Sequence, residues 1–275
     1  MVCSDVAFVV TSPTNCPVVN RVRLELKVSS HVLLLFNTKR NPHDRAFSIW
    51  GPIFVGELVL VTAQLLVGPN DSMAPFLKSA SVPFMAANLF QSLWCAAFRP
   101  KYKGRWMAVS FASLVSTAFS LSKVHNAALG LIGWDYVIYG LPTSLHFGWV
   151  TAASLVNLNG AVAMQKEVSA STVAWVGHLS VVTATVLGIL VTVSRQAPVY
   201  GGVICWALTA VADGMAKRVM ATKNDTDQQK VGVRGAKLQH RLSQIGAILT
   251  GGASFAVLVG AVLGGDKRGG SKIAP

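Results

Sequence analysis

Long runs of apolar residues, each interrupted by a few polar positions, recur along the chain from residue 47 onward. They occupy residues 47–67, 82–98, 106–122, 136–163, 172–194, 198–216 and 243–264. A helix of about 20 apolar residues crosses the roughly 30 Å hydrocarbon core of a bilayer. The pattern therefore predicts an all-α protein, a polytopic bundle of about seven transmembrane helices.

Polar residues inside these runs recur at helical spacing, which places them on one face of each predicted helix. Polar groups in hydrocarbon turn toward the bundle interior, so we expect these faces to point inward. Pro142 is expected to kink the fourth helix near one end. The faces are Trp50/Glu57/Gln64, Asn88/Gln91/Cys95, Ser110/Ser113/Thr117/Ser120, Pro142/His146/Trp149/Ala153/Asn157/Gly160, Trp175/His178/Thr185 and Trp206/Thr209/Asp213.

The charge of the chain fits a membrane topology better than a nucleic-acid partner. The 275 residues are 52% hydrophobic and 13% charged, with a formal net charge of +13. If the seven runs cross the membrane in turn, 18 Lys and Arg residues fall on the N-terminal side and 6 on the other. This asymmetry predicts that the N-terminal side faces a cytoplasm-like compartment, and we expect no nucleic-acid binding.

The runs divide the chain into three predicted parts. Residues 1–46 form a basic segment outside the membrane, residues 47–264 the transmembrane bundle, and residues 265–275 a C-terminal tail. An organelle-targeting role for the first part stays open, because it has few acidic residues but no clear leader pattern.

Glu57 lies at the centre of the first apolar run. A carboxylate at that depth costs roughly 3 kcal/mol unless it is neutralised or paired. Three interpretations are open. Glu57 is a neutral carboxyl bonded to Asn88, Gln91 or a serine of another helix, since burial disfavours the charged form. Alternatively it is a ligand, for example to the metal of a pigment, or it couples protons or cations to transport.

Two histidines in the apolar runs are further candidates for ligand binding. His146 has Trp149 three residues away on its own face, and His178 has Trp175 in the same relation. An imidazole between aromatic rings suits a flat apolar guest, so His146, His178 and Glu57 are candidate axial ligands of a bound tetrapyrrole. The alternative for each histidine is a hydrogen-bonded packing residue.

Small residues recur every fourth position in the last run, at Gly252, Ala256, Gly260 and Gly264. Such spacing lets two helix backbones approach closely in a membrane. The face is interpreted either as intramolecular packing or as a docking face for a neighbouring protein.

Motifs for catalysis are absent from the sequence. It contains no G-x-S-x-G, no phosphate-binding loop, no H-E-x-x-H and no paired carboxylates at catalytic spacing. The four cysteines form no C-x-x-C pair, and no intrinsic metal site is predicted. We therefore expect a protein that is not an enzyme.

Three stretches carry a resemblance to a known family. "AFSIWGPIF" (46–54), "LPTSLHFGWVTAASLVNLNG" (141–160) and "APVYGGVICWAL" (197–208) resemble the larger relatives of the TspO/MBR family of tryptophan-rich sensory proteins. The resemblance implies an all-helical bundle, often dimeric, that binds porphyrins, sterols or similar ligands in a Trp-rich cavity. It implies no established enzyme activity. Trp50 and Trp149 lie within the matching motifs and take a suspected ligand-cavity role.

These observations together predict a non-enzymatic membrane protein that binds an apolar planar ligand, either a tetrapyrrole such as chlorophyll or haem, or a lipid. Its predicted partners are membrane lipids and either other membrane subunits or a second copy. We expect an accessory subunit of a larger assembly, with a photosynthetic assembly in a thylakoid membrane as one form. The alternative is a secondary transporter of a small apolar molecule. The predicted ligand-binding residues are Trp50, Glu57, His146, Trp149, Trp175 and His178.

Overall fold

Seven long helices make up most of the protein in the computed structural model, which describes residues 47–98, 106–165, 167–221 and 227–269. These residues contain no strand, so the all-α prediction is confirmed. The predicted segment 1–46 lies outside them. The helices are α1 (Trp50–Leu66), α2 (Ala74–Ala97), α3 (Trp106–Ala127), α4 (Leu141–Ala163), α5 (Ala170–Ser194), α6 (Pro198–Ala221) and α7 (Asp227–Gly269).

Four segments are long and apolar enough to cross a membrane by themselves: Trp106–Gly130, Ala170–Ser194, Pro198–Met220 and Gly232–Ala261. Helix α1 is apolar but has 17 residues, and α2 and α4 contain more polar positions. In α4 that polarity is buried, with residues such as His146 and Asn157 shielded from the outside. Polar residues inside a bundle lower the mean hydropathy of a span without exposing it to lipid.

Two helices begin well before the apolar runs that predicted them. Helix α2 begins at Ala74 and not at residue 82, and α7 begins at Asp227 and not at residue 243. The added turns of α7 are rich in Gln, Lys and Arg, and those of α2 contain Ala, Leu and Lys; all of these residues favour helix whether or not they are apolar. The predicted tail also begins inside a helix, because α7 continues to Gly269.

The chain divides into two compact units between Val168 and Ser169. In the first unit α3 packs between α2 and α4, and α1 packs mainly against α4. Its apolar core lies where α1, α2 and α3 meet, and consists of Leu60, Ala63, Met73, Phe76, Leu77, Ala80, Phe84, Val124 and Ala128.

The polar face predicted for α3 is confirmed as an interior face. Ser110, Ser113, Thr117 and Ser120 are all buried. The hydroxyl groups of Ser113 and Thr117 donate to carbonyl groups one turn earlier in their own helix. Across the seam to α4, Asn157 Nδ2 donates to Ser110 Oγ over 3.1 Å. Hydroxyls that bond their own backbone need no outside partner, so this polar seam closes tightly.

A change of helix type leads the chain into α4. A π-helical segment, Tyr136–Gly140, precedes α4, and Pro142 occupies its first turn. Proline is tolerated at that position because its missing N–H would have no helical partner there. Pro142 therefore lies where the helix type changes, near one end of the predicted span, and the kink expected there stays a prediction. A Cβ on Gly56 would overlap the Pro142 ring. The glycine therefore lets α1 approach α4 closely.

The second unit consists of three helices with α5 parallel to α7. Gly177 of α5 faces Gln239 of α7, and Gly188 of α5 faces Thr250 of α7, eleven residues further along each helix. Helix α6 runs antiparallel to α7, as Ser254 Oγ donates to Pro198 O over 2.9 Å. Glycines at the contacts bring these backbones close together.

The prediction that the polar face of α6 points inward is wrong. Trp206, Thr209 and Asp213 are exposed, and Thr209 Oγ1 donates to the carbonyl of Cys205 in its own helix. The opposite, apolar face is buried instead: Tyr200, Val203, Ile204, Leu208 and Ala212. Thr209 bonds its own backbone and Trp206 has a large indole, so this part of the face can contact lipid. Periodicity alone therefore did not identify the buried side.

Candidate functional site

The central feature of the first unit is a contact between Glu57 of α1 and His146 of α4. His146 Nδ1 lies 2.6 Å from Glu57 Oε1, and the two side chains are 3% and 16% exposed. Neither atom has another polar partner among the described residues. The carboxyl that the sequence placed in mid-helix is therefore paired with a predicted ligand residue, not with an amide or a serine.

The second ring nitrogen of His146 is also occupied. Its Nε2 lies 2.8 Å from Oε1 of Gln91, on α2. Because the amide oxygen is an acceptor, Nε2 carries the proton and donates it. The contact between Nδ1 and Glu57 then holds one proton, either as imidazolium and carboxylate or as neutral imidazole and carboxylic acid. His146 thus joins three helices and has no free nitrogen for a metal.

Aromatic rings cover one side of this polar cluster. The Trp50 ring lies 5.6 Å from the His146 ring, edge to face. It also lies 6.4 Å from the Trp149 ring at 83°, and stacks on Phe54 with ring centroids 5.2 Å apart. Such ring pairs contribute about 0.5–1.5 kcal/mol beyond their buried area. The structure therefore brings Trp50, Glu57, His146 and Trp149 together, as four of the six predicted ligand residues.

A small cavity lies beside the cluster, bounded by α1, α2, α3 and α4. Its volume is about 10 Å³, which is room for about one water molecule. Sites for drug-sized ligands enclose roughly 300–1,000 Å³. A planar ligand therefore requires the helices to separate. The residues that line the cavity are Gly56, Glu57, Leu60, Phe84, Leu121, Pro142, Thr143 and His146.

Several polar atoms around the first unit are buried without a hydrogen-bond partner among the described residues. They are Gln64 Nε2, Trp94 Nε1 and Asn157 Oδ1. A buried donor or acceptor without a partner costs about 1–3 kcal/mol. By contrast, Asn88 is exposed and donates to the carbonyl of Phe84 over 3.0 Å, so its predicted pairing with Glu57 is wrong.

The other two predicted ligand residues, Trp175 and His178, belong to the second unit. His178 is 9% exposed, whereas Trp175 is 73% exposed. Their rings are 6.2 Å apart, edge to face. His178 Nδ1 is buried and has no hydrogen-bond partner within the described part of the chain. Unlike His146, this imidazole has a nitrogen free to accept a donor or to bind a metal.

The small-residue face of α7 does not pack against α5 or α6 in the described part of the second unit. Gly252, Ala256 and Gly260 are exposed, and a Cβ on Gly252 or Gly260 would meet nothing within 4 Å. Packing against α5 or α6 therefore does not account for these three positions. The docking interpretation, for the face that continues to Gly264, stays a prediction.

Sequence reasoning missed part of the site. It placed Gln91 on an inward face but named Glu57 as its partner, not His146. It did not identify the cavity residues Phe84, Leu121 and Thr143, which carry no chemical signal. In the described residues, no group of three or more His, Cys, Asp or Glu side chains is placed to hold a metal ion.

Comparison with known proteins gives one match. The model of a family described as TSPO-like protein matches residues 16–222, which is most of the chain. The match begins before the "AFSIWGPIF" motif and ends before α7. No curated protein and no solved structure matches the chain.

Proposed function

We propose that this chain, which belongs to the TSPO-like protein family and is an integral membrane protein, binds a flat apolar ligand within its first unit and is not an enzyme. The observation that carries this proposal is the buried Glu57–His146 contact beside Trp50 and a cavity bounded by four helices. A polar pair inside an apolar bundle is costly and is typical of a functional position.

The site supplies two kinds of contact to such a ligand. Trp50 and Trp149 offer ring faces and edges, and His146 offers hydrogen bonding from the centre of the bundle. Opening the cavity separates His146 from Gln91 or Glu57. A ligand with one polar group can replace the lost bond, whereas a pure hydrocarbon leaves a buried polar atom unpaired at a cost of about 1–3 kcal/mol.

The sequence predicts two ligand classes, a tetrapyrrole and a lipid. The contacts of His146 and Glu57 limit how the site could hold a tetrapyrrole. Since both ring nitrogens of His146 are engaged, His146 does not fit as an axial ligand, and Glu57 is occupied by His146. A tetrapyrrole in the first unit would therefore be held by ring contacts and its own polar groups. Axial ligation by His178 stays a prediction, and a pigment bound there would supply visible absorption.

The test is ligand binding by the purified full chain in mild detergent. Titration with metal-free protoporphyrin IX and with a fluorescent sterol reports binding without axial ligation. We expect Trp50→Leu to weaken binding by about fivefold, since one ring contact contributes on the order of 1 kcal/mol. Trp106→Leu is the matched control, because Trp106 is 56% exposed at the start of α3. Equal binding by all three proteins would refute the proposed site.

Membership of a larger pigmented assembly, photosynthetic or not, is part of the same proposal and needs its own test. A native gel of the source membrane, with the chain located by antibody, measures the size of its complex against its 29.1 kDa mass. A large, coloured band supports an accessory subunit. A colourless band of monomer or dimer size contradicts it. Protease protection of tags at the chain ends tests the predicted orientation.

A secondary transporter is the second candidate, favoured by the one-proton contact between Glu57 and His146. A buried carboxyl–imidazole pair that exchanges a proton can couple proton movement to opening of the cavity. Flux of the bound ligand in reconstituted vesicles should then depend on a pH gradient and lose that dependence in Glu57→Gln. Gradient-independent flux would contradict proton coupling, and no flux would leave binding as the function.

A further inference from the structure

Helix α7 is longer than a membrane crossing requires. Its 43 residues extend about 65 Å at 1.5 Å per residue, roughly twice the 30 Å hydrocarbon core of a bilayer. The apolar segment Gly232–Ala261 has 30 residues and also exceeds that core. The segment therefore reaches the lipid headgroups at one end at least, and its first turns are the end that carries charged side chains, which favour that depth over the hydrocarbon core.

These first turns carry a basic face. Arg234, Lys237 and Arg241 have the spacing of residues on one side of a helix, and all three are exposed. Between Gly232 and Ala261 the sequence contains no acidic residue. No acidic side chain within this segment therefore neutralises the positive charge of the face.

The end of α6 adds two cations at the same level. His240 Nδ1 lies 2.8 Å from the carbonyl oxygen of Ala212, which fixes the antiparallel register of α6 and α7. In this register Lys217, five residues after Ala212, lies opposite Gly235, five residues before His240. Arg218 follows Lys217 along α6. Both are exposed, and Asp213 is the one acidic residue of α6.

This end of the second unit is held in place by helix packing. Gly235 faces Ala174 of α5, and Gln239 lies against Gly177 of the same helix. Immediately beside the basic face, Leu238 and Ile245 of α7 are exposed apolar residues. The basic residues of α7 therefore lie beside exposed apolar side chains.

We propose that this end of the second unit, Lys217, Arg218, Arg234, Lys237 and Arg241, binds the headgroups of anionic phospholipids. Arginine pairs with phosphate through two parallel hydrogen bonds, and lysine adds charge. The adjoining apolar residues favour a lipid over a soluble acidic protein, because acyl chains cover them. The three α7 cations lie beyond the family match, and the proposal does not depend on the ligand site of the first unit.

The test is lipid selection by the full chain in nanodiscs of mixed phosphatidylcholine and phosphatidylglycerol. Mass spectrometry after detergent extraction counts the retained lipids of each class. Each basic residue near an anionic surface contributes about 1 kcal/mol, or roughly fivefold, so R234Q/K237Q/R241Q should lower the preference for phosphatidylglycerol by about 100-fold. The control K78Q/K123Q/R195Q removes the same charge elsewhere and should retain the preference.

Three outcomes would overturn the proposal. Retention of both lipids by the wild-type protein in proportion to their supply would show that the basic end does not select anionic lipid. An equal loss of preference in the two triple variants would attribute selection to net charge. Binding of an acidic peptide such as poly-glutamate, without phosphatidylglycerol enrichment, would assign the basic end to a soluble partner.

Discussion

The two units hold their helices together in different ways. In the first, a polar contact between Glu57 and His146 joins α1 to α4, beside a small cavity. In the second, glycines such as Gly188 and Gly201 bring apolar helices together. His146 has two polar partners, whereas His178 has an unpaired buried nitrogen. A buried histidine therefore stabilises its unit only where the neighbouring helices supply its partners.

The largest expected effect comes from breaking the pair in the first unit. Glu57→Leu leaves His146 Nδ1 without its partner, and removal of one member of a buried pair costs about 3 kcal/mol or more. The midpoint of thermal unfolding, followed by tryptophan fluorescence in detergent, should fall accordingly. The double variant Glu57→Leu/His146→Leu should cost less than the sum of the two single variants, and simple additivity would show that the contact contributes nothing.

A comparably direct test of the second unit uses two neighbouring glycines. A Cβ on Gly201 would overlap the hydroxyls of Thr192 and Ser254, whereas a Cβ on Gly202 would meet nothing within 4 Å. We expect Gly201→Val to destabilise the protein by about 2–3 kcal/mol through overpacking. Gly202→Val is the matched control and should leave the unfolding midpoint nearly unchanged. Similar effects of both variants would contradict the close packing.

Replacement of His178, the buried histidine of the second unit, should change the stability of the protein in the opposite direction to breaking the Glu57–His146 pair. His178→Leu removes a buried Nδ1 that lacks a partner, and such an atom costs about 1–3 kcal/mol. The variant should therefore be at least as stable as the wild type when no ligand is bound. A clear loss of stability, measured by the same unfolding assay, would mean that His178 has a partner in the native protein.

The smallest expected effect concerns the turn between α5 and α6. Gln196 has a φ of 51°, in the left-handed region that favours glycine. Its side chain donates to the carbonyl of Val193 over 2.8 Å, and this bond offsets part of the strain. Gln196→Gly should stabilise the second unit by less than about 1 kcal/mol. Gln196→Ala keeps the strain without the bond, and should be less stable than both.

Much of the fold could be predicted from the sequence, and less of the site. Apolar runs predicted the seven helices, because each run buries its side chains whatever its neighbours are. Helix ends were less accurate, as at Asp227, because polar residues also form helix. On α3 the periodic hydroxyl face identified the buried side, but on α6 a similar polar face is exposed. A hydroxyl that bonds its own backbone is tolerated on either side.

The sequence by itself determined that this is a helical membrane protein, that Glu57 is costly in mid-helix, and that Trp50, His146 and Trp149 are candidates for one site. Only the tertiary structure decided that Gln91 and Glu57 occupy both nitrogens of His146, while His178 keeps one free. Hydropathy and spacing follow from local chemistry along one helix. Pairing across helices depends on packing register, which glycines such as Gly56 set through contacts with residues far away in the chain.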